Sequence, residues 1–500
     1  MATAKYVVLV DWNNDGFLEE AFFITPYQPI PSGDDEDVSA WVRSAPGIDT
    51  VRGKDQIRAL APVMAGRADM ELDNQDRTFS PENSASLLYG NLIPGRKVQI
   101  RAVYGSGTYY LWTGFLDDIP QHPARDRKAV SLPSLGPFSQ FAGKKISTAL
   151  YQSIRTDEAI GYILDALGWP AADRSLSTGQ TTLNFWWLQE EDAFTALQTL
   201  VNTEGPGAVL YEDGEGNIVF EDRHYRMTTT RATTAQATIS DTGSEPLHSE
   251  PFSYNPGLKD IINVAEVTVK TRAVDGSYSV VWSLGEAVSL AASEVRKYVA
   301  TDTDPFTDAQ TPVNATDYTV SAGSLSSVTL DRTSGQSCTL TLTAGASGAT
   351  VTGLQLRAKS APVTNTTAIT NTVDASASIT NYGRQVYTSS IRNEIDSGVA
   401  QDLVNALVSR YQDPRPIVTI SLNNAVDGRM TQILSRQISD RITIVEAQTA
   451  VNHDYWVERI RHRIDEAGYH HVVEFGCEKV TSGQYAVWGS AVWGTAVWGY

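Results

Sequence analysis

The sequence predicts a mainly β protein with a small α+β domain set into it, and three observations carry that prediction. Apolar and polar residues alternate in short runs, separated by Gly and Asn or Asp turns, across residues 1–145 and again after 241. Helical periodicity is confined to two stretches between 146 and 240 and one long stretch after 390. A Ser/Thr/Gly-rich segment, 301–355, keeps the two-residue alternation of strands in Ser327-Val328-Thr329-Leu330 and Cys338-Thr339-Leu340-Thr341-Leu342. Its composition alone would allow disorder, but the alternation favours an inserted β module.

The chain has 500 residues, too many for one core, so three or four domains are expected. With 39 basic and 58 acidic residues the formal charge is -19, which argues against a general nucleic-acid-binding surface. It is compatible with a protein that lets DNA pass without holding it. Cys338 and Cys477 lie far apart and form no metal-type pair, as expected for assembly in a reducing cytoplasm. The opening residues offer a short apolar run and no signal peptide, and no segment approaches the length of a membrane helix. A soluble product without stable membrane insertion is expected.

The first strand, Tyr6-Val7-Val8-Leu9-Val10, feeds the loop "DWNNDGFLE". Asp11, Asn13, Asp15 and Glu19 stand at positions 1, 3, 5 and 9 of a calcium-loop pattern, with Gly16 at the bend. Position 12 is Phe22 instead of a bidentate Glu, and a strand precedes the loop, so an EF-hand is excluded. Two readings stay open. The four residues collect a calcium ion, with help from Asp34-Asp35-Glu36-Asp37, or Asn13–Gly16 is a turn that tolerates positive φ.

Further along, Val98–Tyr104 and Tyr109–Trp112 read as strands of a barrel or sandwich. From 146 the pattern changes. Ile160, Ile163, Leu164 and Leu167 form a helical stripe behind Thr156 as N-cap, with Gly168 as the stop. Glu190, Glu191 and Asp192 open a second helix with Phe194, Leu197, Leu200 and Val201 on one face and Gly205-Pro206-Gly207 at its end. "AVLYEDGEGNIVFEDR" then reads as a hairpin, and Trp186 and Trp187 as core packing. Strands return from Asp260, and a long helix carries Ile395, Val399, Leu403, Ala406 and Leu407 up to Asp413-Pro414. "IVTISLN", "DRITIV" and "YWVERIRHRI" close the segment as strands.

The final stretch repeats A-V-W-G-x three times, and a period of five fits neither strand nor helix. Trp488, Trp493 and Trp498 are therefore expected to anchor the tail on another surface, of this chain or a neighbour, rather than to bind sugar.

Catalytic signatures are missing from the sequence. It has no H-E-x-x-H and no G-x-S-x-G, and Gly143-Lys144-Lys145 lacks the glycine spacing of a phosphate loop. His462, His470, His471 and Glu474 cluster near the end, but strand alternation sends His470 and His471 to opposite faces, which favours surface and core roles over a ligand set.

A set of short pieces occurs in order over the first β segment: the aspartate-tryptophan loop, Arg52-Gly53, Ala65-Gly66, Leu72-Asp73-Asn74, Phe79-Ser80-Pro81 and Pro94-Gly95-Arg96-Lys97-Val98. Together they resemble the opening domain of minor tail proteins from long-tailed bacteriophages, especially those of actinobacterial hosts. "KDIINVAEVTV", "SITNYGRQVYTSSI" and "YWVERIRHRID" are similar to tail-tip, or baseplate hub, proteins of the same viruses.

The resemblance implies two tube-type β-barrels in one chain: a first barrel over 1–145, the α+β domain over 146–240, and a second barrel split into 241–300 and 356–480 around the 301–355 insert, with 481–500 as the Trp-repeat tail. It also implies a homotrimer forming a pseudo-sixfold ring at the virion tail tip, made in the host cytoplasm. The ring would join the distal tail or tail-tube protein, the tape measure protein and downstream tail-tip or fibre proteins, with DNA present only in transit. A structural role without catalysis or cofactor, calcium aside, is the leading expectation. A tail-associated peptidoglycan hydrolase is the enzymatic alternative, for which the chain after the second barrel leaves no room. A carbohydrate-binding adhesin is the third class, suggested by the insert and the Trp repeats.

Overall fold

The computed structural model describes residues 3–16, 37–54, 64–125, 127–241, 249–257, 260–388, 391–425, 427–465 and 468–480. Its main feature is a 14-stranded sheet drawn from both β-rich segments. The principal path runs Lys5–Val10, Lys97–Tyr104, Gly107–Leu116, Ser134–Leu135, Arg67–Asp73, Ile48–Gly53, Val451–Asp465, His470–Lys479, Ile417–Asn423, Ser249–Asn255. The chain is thus mainly β with a small α+β unit. The two β segments do not stand apart: Ile48–Gly53 pairs antiparallel with Val451–Asp465, from Ile48 opposite Ile464 to Gly53 opposite Arg459.

Alternation explains the pairing. In Ile48–Gly53 every second residue is buried, as are Ala68, Met70 and Leu72 on the neighbouring strand. A one-residue slip would turn these side chains to the wrong face. Both segments fill one core, in which Val8, Val98, Ile100, Trp112, Ile442, Tyr455, Ile460 and Phe475 lie together. Gly53 sits at the crossing with φ 103°, and a Cβ there would lie 2.3 Å from the Glu458 carbonyl oxygen. The Arg-Gly step noted in the sequence is therefore a close approach of two backbones.

The α+β unit carries the helices Thr156–Ala166 and Ala193–Glu204 and the hairpin Val209–Glu212 with Ile218–Glu221. The second helix begins and ends where its signals stand. Asp192 is the N-cap, accepting from the Thr195 N–H at 2.8 Å, and Gly205 follows at φ 110°. Thr156 is the first residue of its helix, and Arg155 is the residue before it. The Thr156 hydroxyl instead donates to buried Glu204 at 2.7 Å. The long helix is Ser397–Tyr411, capped by Asp396.

The Ser/Thr/Gly-rich stretch belongs to a larger β module. Ser279–Ser283, Phe306–Gln310 and Gln355–Ser360 form one sheet, and Val288–Leu290, Val295–Thr301, Thr319–Arg332 and Ser337–Thr352 form another. Their shared core includes Val288, Phe306, Cys338, Leu340, Val351 and Leu356. The module is seated on the α+β unit at Trp187, whose indole N–H donates to Gln336 at 3.0 Å while the Arg272 guanidinium lies 5.1 Å from its ring centre. Trp186 is fully buried, as expected; Trp187 is one of the contacts between units, beside the Gly335 N–H on the Thr148 carbonyl at 2.7 Å.

Candidate functional site

Where the two β segments join, the sheet has one face on the core and the other partly open. Arg67 and Arg461 both stand opposite Val51, Asp69 and Arg463 both stand opposite Asp49, and Arg461, Arg463 and Asp465 stand opposite Glu474, Val472 and His470. Directly paired residues share a face. This strip therefore carries four arginines, Arg67, Arg459, Arg461 and Arg463, and four carboxylates, Asp49, Asp69, Asp465 and Glu474. Arg67, Asp69, Arg463 and His470 are exposed and the others half-buried. Arg461 donates from Nε to Asp49 at 2.8 Å; that bond raises its pKa, and the charges of Asp49, Glu474 and Asp69 add to the effect. On a chain of charge -19 the strip is balanced.

Towards Gly107–Leu116 this face is covered. The turn after Glu212 lies so close to Gly107–Leu116 that a Cβ at Gly214 would sit 2.0 Å from the Tyr110 carbonyl oxygen. Trp169 meets Phe115 edge-on at 6.4 Å between ring centres.

At the other end of the long hairpin the α+β unit and both β segments meet in a buried ionic joint. Arg226 pairs with Glu458, and its Nε and Nη2 donate to the Ser439 hydroxyl at 3.1 and 3.0 Å. Ser439 donates to Glu221, which also accepts from the Tyr211 hydroxyl at 2.9 Å. Lys54 lies 3.2 Å from Glu458, and Arg410 lies 3.1 Å from Glu478. Burial alone would raise the Glu458 carboxyl, but Arg226 and Lys54 overcome it and hold the group below its usual range. The guanidinium groups of Arg226 and Arg410 lie 5.2 and 5.7 Å from the centre of the Trp456 ring. Sequence reading missed this joint because its members are scattered from residue 54 to 478.

The residues singled out in the sequence fall as follows. Asp11 is buried, and its two carboxylate oxygens accept the N–H groups of Asp15 and Gly16, each at 3.1 Å. Asn13 donates to Asp15 at 2.9 Å. Glu19 and the Asp34–Glu36 acids lie outside the described residues, as do Trp488, Trp493 and Trp498. Among the described residues no group of three potential metal ligands is found.

These hydrogen bonds make Asp11 a loop brace. Asp11→Ala is expected to cost about 1–2 kcal/mol, read as a lower melting temperature. A chelator series on parent and variant separates the two roles: a bound cation adds a chelator-sensitive shift to the parent alone, whereas the brace gives the same loss with or without chelator.

His471 is buried and His470 exposed, in keeping with the alternation. The Tyr6 hydroxyl lies 2.7 Å from His471 Nδ1, and His471 Nε2 lies 3.0 Å from His462 Nδ1. This buried chain ties the first strand to the last hairpin.

No protein-family model matches the chain, and no curated protein matches its sequence. Solved structures do. The tail protein from Neisseria meningitidis MC58 is 11% identical with a TM-score of 0.47, covering 95% of this chain and 96% of its own. The prophage MuSo2 43 kDa tail protein from Shewanella oneidensis is 9% identical with a TM-score of 0.46, covering 95% and 98%. An E. coli type VI secretion component described as structurally similar to the T4 tail proteins gp27 and gp5 is 8% identical with a TM-score of 0.38, covering 87% and 73%. Two of these three are described as tail proteins.

Proposed function

We propose that this chain is a non-catalytic hub of a phage tail tip, a homotrimer whose copies surround a channel for DNA. The observation that carries the reading is the single sheet shared by the two β segments. Each copy then offers two β units side by side, and three copies give six around a ring. The charge-balanced strip at their junction would face the channel. Phosphates passing a neutral lining release few counterions and gain little affinity, which suits transit without capture.

In this reading one side of the ring meets the distal tail or tail-tube protein and the tape measure protein, and the other side meets downstream tail-tip or fibre proteins. The Trp-repeat tail supplies aromatic anchors for one of these contacts. Native mass of the purified chain, paired with negative-stain images, tests the ring. A trimer with a central hole is expected. A monomer that stays monomeric when mixed with tail-tube protein would remove the reading, and glycan binding by the full chain would then favour the adhesin.

A further inference from the structure

The large sheet ends in an edge strand. Ser249–Asn255 pairs with Ile417–Asn423 on one side, and among the described residues no strand pairs with it on the other. An uncovered edge offers its N–H and C=O groups to any extended chain, and folds usually blunt it with charge, proline or a bulge. Half of this edge is blunted in that way: Glu250-Pro251 falls within it, and the register shifts between Ser249 and Ser253. Ser253, Tyr254 and Asn255 pair regularly and are exposed.

Tyr254 stands out in the regular half. It lies opposite Val418, which lies opposite Cys477, and both of those are buried in the core of the large sheet. Directly paired residues share a face, so Tyr254 is on the core side, yet it is 42% exposed. The core layer is therefore open at this rim. Tyr455, close enough for Tyr254 to act on its titration, is fully buried with a hydroxyl that has no hydrogen-bond partner. A buried hydroxyl without a partner calls for a further polar group beside it.

The chain leaves the described fold next to this rim. Glu478 stands opposite Ile417, which stands opposite Asn255, so His470–Lys479 and Ser249–Asn255 run parallel and end together with Ile417–Asn423 between them. Val480 is held there by its N–H on the Asp454 carbonyl at 2.9 Å. The sequence that follows is uncharged: Thr481-Ser482-Gly483-Gln484, then the first repeat, Tyr485-Ala486-Val487-Trp488. Adjacent strands are about 4.8 Å apart, so a position outside the edge lies about 14 Å from the end of His470–Lys479. About five residues reach that far. We infer that residues 481–488 turn back over the end of the sheet and lay the first repeat along the Ser253–Asn255 edge, with Trp488 closing the rim beside Tyr254. This contact does not depend on the hub reading, and Trp493 and Trp498 remain for the partners proposed above.

Amide exchange of the full chain tests the contact. The peptide 249–257 is followed in the parent and in full-chain Trp488→Asp and Trp493→Asp, because a carboxylate is not buried at an apolar rim without a partner. Exchange is expected to quicken several-fold in Trp488→Asp and to match the parent in Trp493→Asp. Equal rates in the parent and Trp488→Asp, or equal quickening in both variants, would overturn the inference. So would protection that disappears on dilution, since the covering tail then belongs to a second copy. If Trp488→Asp does not fold, full-chain Tyr254→Ala decides through chymotrypsin cleavage after Tyr485 and Trp488. Cleavage several-fold faster than in the parent supports the contact, and an unchanged rate refutes it.

Discussion

Arg226→Met is expected to destabilise the fold by about 3–5 kcal/mol, because it leaves a buried carboxylate without its main partner. Lys54 alone would then face Glu458, and Glu221 would lose the cation whose charge offsets its burial. The Ser439 hydroxyl would keep its bond to Glu221 but lose both donors from the Arg226 guanidinium. Urea unfolding of the single variants and of Arg226→Met combined with Glu458→Gln measures the coupling. The pair should be less damaging than the sum of the singles by about 1–3 kcal/mol. Additive losses would mean that the two side chains do not act as a unit.

Acidification is expected to weaken the protein well before ordinary carboxylates titrate. Burial, then the neighbouring His470, lowers the His471 pKa to about 3, and burial with His471 and Arg52 takes His462 well below its usual value. A depressed histidine contributes stability that is complete above 6.5 and lost as pH falls below it. Two such groups together lose about 2.7 kcal/mol per pH unit in that window. Glu212, whose carboxyl burial raises to about 7, holds in the fold a proton that the unfolded chain has released over the same range, and offsets about 1.4 kcal/mol per unit. The parent should therefore lose stability at about half the rate of Glu212→Gln between pH 6.5 and 5. Urea midpoints at four pH values suffice to compare the slopes, and a parent whose stability is flat or rises towards pH 5 would contradict the histidine assignment.

How much of this was readable beforehand depends on the range of the forces involved. Local signals held: Asp192 and Gly205 bound one helix, the DGEGN turn made its hairpin, and alternation separated His470 from His471. Thr156 shows the limit, since its hydroxyl had a local use as a cap but reaches the distant Glu204 instead. Asp11 shows another. The spacing that suggests a cation site also suits a carboxylate that braces its own loop, and spacing alone does not separate the two. The ionic joint and the bonds that Glu212 accepts from the Gly66 and Phe138 N–H groups left no pattern in the sequence, because each joins residues from segments that meet only after folding. The charge-balanced strip was hidden for a related reason: a net charge of -19 says nothing about where charges of either sign collect.

The pairing of Ile48–Gly53 with Val451–Asp465 also sets a schedule. Arg461 and Asp49 are separated by 412 residues, so at ribosomal rates the early strand waits roughly 20–80 s for its neighbour to be made. During that interval a hydrophobic strand edge near the start of the nascent chain lacks its permanent cover. Production of this protein should therefore be limited by crowding among unfinished chains, and slower translation or a holding chaperone should raise the soluble yield more than any stabilising substitution in the finished fold.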